Sequence, residues 1–127
     1  GFGKEVQRRI MLGTFVLSSG YHDAYFTKAQ QIRRVIQDAT NEILKDFDFI
    51  LTPTTPHTAF DLGQKHKDPT VMYLEDIFTV QANLSGHPAI SLPLFKHSNG
   101  MPFALQLLAK NFEEQKLLSF SNYLMEL

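Results

Sequence analysis

The sequence predicts an α/β fold with helices layered on a mixed sheet of at least three strands, and three observations carry that prediction. Helical periodicities and short apolar runs follow one another as helix, helix, strand, loop, helix, strand, strand, helix. The runs DFILTP (48–53), AISLPLF (89–95) and FALQLLA (103–109) have the length and apolar content of buried strands. Ser98, Asn99 and Gly100, between the last two runs, are a hairpin signal.

Each element has its own justification. Val6, Ile10, Gly13 and Leu17 recur at helical spacing, which predicts a first helix over 4–18, ended by Ser18, Ser19 and a Gly20 able to adopt the left-handed conformation. A long second helix is predicted over 22–46. Its buried stripe would be Ala29, Ile32, Val35, Ile36, Ala39 and Ile43, and its wet side Arg33, Arg34, Gln37, Asn41 and Glu42. Pro53 closes the first strand, and an irregular loop follows from Thr54 to about Asp68, a length often associated with function. Asp68 as cap and Pro69 in the first turn predict a third helix running to about Leu84, stopped by Gly86 and Pro88. Asn111 is the expected cap of a last helix over 112–126, with Leu117, Leu118 and Leu124 turned inward.

Composition narrows the function classes. The chain has 127 residues, 43% of them hydrophobic and 20% charged, with a formal net charge of −1. That balance fits a globular domain and gives no global field toward nucleic acid or an anionic membrane. The absence of cysteine excludes disulfides and thiolate metal sites and suits a cytoplasmic protein. No apolar run is long enough to span a bilayer. Three strands are few for so much helix, and SFSNYLMEL closes the chain while still apolar and periodic. These features predict a segment of a longer protein.

Familiar catalytic signatures are missing. The chain has no GxxxxGK[ST], GxGxxG or GxSxG motif. Of His22, His57, His66, His87 and His97, no two are spaced four apart, so no metal site is predicted and all five read as polar surface or loop residues. Ser18 and Ser19 read as helix-end residues. Two features remain. Arg9 sits beside the apolar stripe of the first helix, as either a snorkelling surface residue or a cation turned inward. Asp76 sits within the mostly apolar VMYLEDIFTV, where an aspartate is solvent-facing, paired or ligand-binding.

EVQRRIMLGTFVLSSGYHDAYFTKAQQIRR, ILTPTTP, DPTVMYLEDIFTVQANLSGHPAISLP and GMPFALQLLAK, in that order, resemble the C-terminal part of the amidase signature family. MYLEDIFTV ahead of ANLSGHPAISLP resembles in particular the glutamine-hydrolysing subunits of tRNA-dependent amidotransferases. The resemblance spans nearly the whole chain. It implies the C-terminal portion of a three-layer helix/sheet/helix fold, and a triad of serine nucleophile, relay serine and lysine drawn from a glycine- and serine-rich signature. No GGSSGGS-like run occurs in these residues, so no catalytic residue is assigned here and the chain alone is expected to be inactive.

The resemblance also gives Arg9 and Asp76 a role as substrate-binding residues. Arg9 would take the α-carboxylate of free glutamine and Asp76 its α-ammonium, while Arg8 remains a surface or structural cation. A guanidinium fork suits a carboxylate, and a carboxylate suits an ammonium. Thr54 and Thr55, at a strand end, are secondary pocket candidates. Tyr21, Asp23 and Tyr25 are expected to pack and cap, and Asn83 and Gly86 to shape a helix-to-strand turn. The implied partners are the B and C subunits of the amidotransferase, with tRNA reached through the B subunit. ATP and Mg would be used by that partner, and no cofactor by this segment. The implied reaction releases ammonia from glutamine to convert Glu-tRNA(Gln) to Gln-tRNA(Gln). Open strand edges predict self-association of the isolated segment. Two other readings are a segment of an amidase for another small amide and a non-catalytic interaction module.

Overall fold

A computed structural model of the chain describes residues 1–63 and 69–127, in two compact units, Gly1–Val35 and Ile36–Leu127. The expected cap Asp68, His66 and the end of the long loop fall outside the described residues.

The first unit contains helix α1 (Lys4–Val16), a π-helical turn (Asp23–Thr27) and the start of helix α2 (Lys28–Asp46). α1 stops two residues earlier than predicted, and Gly20 is left-handed, with φ +84°. The rings of Phe15, Tyr21 and Tyr25 cluster with centroids 4.3 to 6.2 Å apart. The Asp23 carboxylate accepts from Thr27 Oγ1 (3.1 Å) and pairs with His22 Nδ1 (3.3 Å), contacts that hold its pKa below the usual carboxylate value. The packing role expected for Tyr21 and Tyr25 is thus borne out, whereas Asp23 bonds to its neighbours' side chains and caps no helix, the turn having no side-chain cap.

The second unit is built on three strands, β1 (Phe49–Pro53), β2 (Ala89–Lys96) and β3 (Pro102–Ala109), ordered β1-β3-β2 and antiparallel at both joins. The predicted hairpin forms: Gly100 takes φ +83°, and Asn99 Oδ1 accepts from the Met101 amide. Pairing alternates side chains between the two faces. One face gathers Phe49, Ile90, Leu92, Leu107 and Ala109 against Leu117, Phe120 and Leu124 of helix α5 (Glu114–Met125). Stacked rings of Phe49 and Phe120 and an ion pair between Lys116 and Asp48 join α5 to β1. The other face carries a polar row, Thr52, Gln106 and Ser91, in register across all three strands. Helices α3 (Pro69–Leu74) and α4 (Val80–Ser85) precede β2 in the chain.

Four expectations are corrected. The predicted helix over 69–84 is two short helices separated by a turn at Glu75–Thr79, where the Asp76 and Ile77 amides reach back only three residues, to Tyr73 O (3.3 Å) and Leu74 O (3.2 Å). On α2, Ile32, Val35 and Ile43 are exposed, Val35 at 67%, whereas Thr40 and Leu44 are buried. The polar side of α2 forms the seam: Gln37 donates to Ser85 O (2.8 Å), Gln81 to Thr40 Oγ1 (3.3 Å), and Asn41 meets His87 (3.0 Å). α5 starts at Glu114 because Phe112 is left-handed (φ 64°), which interrupts the helix after Asn111 and removes its capping role. Leu118 is 57% exposed, one position off the buried stripe of Leu117, Phe120, Ser121 and Leu124.

His87 is the fourth correction. It is only 5% exposed, not a surface residue. Its Nε2 lies 3.0 Å from Asn41 Oδ1, which can accept from an N–H at that position. Burial lowers its pKa. A histidine whose folded pKa is depressed is protonated first in the unfolded chain, so its stability contribution is lost as pH falls below about 6.5. The urea midpoint is expected to fall with pH more steeply in the native chain than in His87→Gln, which keeps a donor for Asn41 but does not titrate. Parallel pH profiles would refute this.

Candidate functional site

The polar row on the central strand is the base of the candidate site. Gln106 is the one polar side chain within FALQLLA and is 6% exposed. Its Nε2 donates to Thr52 Oγ1 (3.4 Å) and to Phe78 O (3.0 Å), so the Glu75–Thr79 turn lies against this face of the sheet. Immediately past β1, the Thr54 amide continues the ladder to Ala104 O (3.0 Å), and its hydroxyl meets Ser91 Oγ at 2.8 Å. Thr55 turns its hydroxyl back to His57 O (2.8 Å) and shapes the loop. His57 Nδ1 in turn approaches Glu75 Oε1 at 3.0 Å, tying the loop after β1 to the turn that carries Asp76.

Asp76 is exposed on that turn. Its carbonyl accepts from the Val80 amide (3.0 Å) and from Thr79 Oγ1 (3.2 Å), which fixes its backbone. Gly86 follows as the left-handed cap of α4 (φ +80°), donating to Ala82 O at 2.8 Å, and Asn83 Nδ2 reaches Thr79 O at 3.4 Å. Gly86 fulfils the turn-building role expected of it, whereas the Asn83 amide bonds back along α4 and does not build the turn. The second unit therefore brings Thr54 and the Asp76 turn to the sheet face marked by Gln106.

Arg9 belongs to the first unit. It lies exposed on α1, where its Nε donates to Glu5 Oε1 (3.1 Å), and Arg8 donates to the other oxygen of Glu5 (3.0 Å). A surface pair of this kind contributes little to stability and leaves a guanidinium accessible. Among the described residues no three His, Asp or Glu side chains form a metal-binding group, and no described helix is long and apolar enough to cross a membrane. Gln106 was not among the residues the sequence singled out. Its signal was a lone amide inside an otherwise apolar strand run.

Comparison with known proteins places these features in a family. The chain is 55% identical over 126 residues to the A subunit of glutamyl-tRNA(Gln) amidotransferase from Pelagibacter ubique, an alignment covering 99% of this chain and 26% of that protein. It is similar to the crystal structure of the Thermotoga maritima protein of the same name, with 54% identity and a TM-score of 0.71 over 91% of this chain and 25% of that one. A crystal structure of an amidase matches with a TM-score of 0.78 and 25% identity over 98% of this chain and 28% of that one. The chain thus spans about a quarter of the length of its relatives, and the α/β architecture is that of amidase signature enzymes. The amidase family model matches residues 1–118, and the chain belongs to the amidase family.

Proposed function

We propose that the full-length protein containing this segment is the glutamine-hydrolysing subunit of a tRNA-dependent amidotransferase, and that the segment supplies both charge-reading residues of its glutamine pocket. The observation that carries this reading is the end-to-end similarity to relatives named as the A subunit of that amidotransferase. Arg9 would hold the α-carboxylate, exchanging its pair with Glu5 for the ligand, and Asp76 the α-ammonium. A cation for the carboxylate and an anion for the ammonium select a free amino acid, because a simple amide leaves both unpaired. The seryl nucleophile, relay serine and lysine would come from a glycine- and serine-rich segment outside these 127 residues. The ammonia would pass to the B subunit, which uses ATP and Mg to amidate tRNA-bound glutamate, with the C subunit alongside, in the cytoplasm. In the isolated segment β1 and β2 are the sheet edges, and these would mediate self-association.

In the full-length enzyme, Arg9→Ala is expected to raise KM for glutamine roughly tenfold or more, the scale of a lost hydrogen bond to a charged group. KM for butyramide, which has neither head-group charge, should stay unchanged. Equal losses for the two substrates would assign Arg9 a structural role and overturn the reading.

A further inference from the structure

We infer that Gln106 is the positioning residue for Asp76: its buried amide sets the height of the Asp76 turn above the sheet and thereby tunes recognition of the substrate ammonium. This rests on the glutamine-pocket reading given above.

The inference starts from cost. An amide in the middle of a buried strand is unfavourable unless its hydrogen bonds are made. Gln106 makes them by splitting its two N–H groups between its own sheet, at Thr52 Oγ1, and the turn, at Phe78 O. The second bond is the shorter, at 3.0 Å against 3.4 Å, and it connects elements 28 residues apart in sequence.

The turn needs such an anchor. Its internal bonds at Asp76 and Ile77 are 3.3 and 3.2 Å, and they fix the local curl of the chain without fixing its distance from the sheet. Phe78 lies two residues from Asp76, and the intervening backbone is tightened by the Asp76 carbonyl accepting from both Val80 N and Thr79 Oγ1. A displacement at Phe78 is therefore passed to Asp76. From the other side, the His57–Glu75 contact ties the turn to the loop through an exposed histidine. The buried amide is the less solvated of these two tethers and the one attached to the central strand. A carboxylate displaced by about 1 Å from its bonding position loses most of a hydrogen bond whose useful range is only a few tenths of an ångström.

The test uses the full-length enzyme and two substrates, glutamine and 4-carbamoylbutanoate, which keeps the carboxylate but lacks the ammonium. Gln106→Met fills the space without an N–H donor. Gln106→Asn keeps an amide but shortens its reach by one methylene, and serves if the first variant fails to fold. Either is expected to raise KM for glutamine several-fold with kcat nearly unchanged, and to leave KM for 4-carbamoylbutanoate unchanged. In an Asp76→Asn background the same substitution should add nothing, because its effect runs through Asp76. Equal KM increases for both substrates, no increase for either, or full additivity with Asp76→Asn would overturn the role of Gln106. Asp76→Asn failing to discriminate between the substrates would strike the ammonium reading itself, and the inference with it. Discrimination by Asp76→Asn alone would strike only Gln106.

Discussion

Leu107→Ala is expected to unfold most of the chain under conditions where the native protein is folded. Leu107 lies on the central strand, 1% exposed, on the face that packs with Leu92, Ala109 and Leu117. Its register partners, Leu51 and Ile90, belong to the two outer strands, so its side chain sits where all three strands meet α5. Truncating such a leucine removes its transfer free energy and leaves a cavity, together about 2–5 kcal/mol. Small domains have only about 5–15 kcal/mol in total. Urea unfolding followed by circular dichroism should show the midpoint collapse, whereas Leu118→Ala, at an exposed position of α5, should shift it little. Comparable shifts for the two substitutions would show that the core is not where the sheet and α5 meet.

The second large effect is the inactivity of the 127-residue chain. Amide hydrolysis requires a nucleophile activated by a neighbouring base. The serines of the second unit's seam, core and polar row are engaged otherwise: Ser85 Oγ and Ser121 Oγ donate to carbonyls of their own helices, and Ser91 Oγ meets Thr54 Oγ1. Purified chain incubated with glutamine is therefore expected to release ammonia at the background rate. Turnover that survives repurification would refute the view that the reacting groups lie outside this segment.

Much of this architecture was legible because it depends on apolar content and on punctuation. The three strands were found within one residue at each end, since Pro53 and the Ser98–Gly100 turn mark their limits. Hydrophobic periodicity failed on α2 because it does not register specific hydrogen bonds: Gln37 and Asn41 bond to the α4–β2 junction while Val35 lies in solvent. It failed at Glu75–Thr79 because no glycine or proline announces that break, and at Phe112 because an aromatic residue is an unexpected occupant of the left-handed region. For the site, Asp76 was open to several meanings as a residue and acquired a role only through resemblance to a family. Gln106 needed the fold, since its importance lies in a carbonyl 28 residues away.

The seam between α2 and the α4–β2 junction has a consequence of its own. Greasy interfaces tolerate sliding, because one methyl contact can replace another. Gln37, Thr40 and Asn41 instead engage Ser85, Gln81 and His87 through contacts that each accept only one alignment. Moving a helix along its axis by one residue shifts it about 1.5 Å and turns its side chains by about 100°, which would break all three together. The seam therefore works like the teeth of a key. It contributes less adhesion than a row of leucines would, but it rejects every neighbouring setting of the helix and so fixes which residues of α2 face the junction.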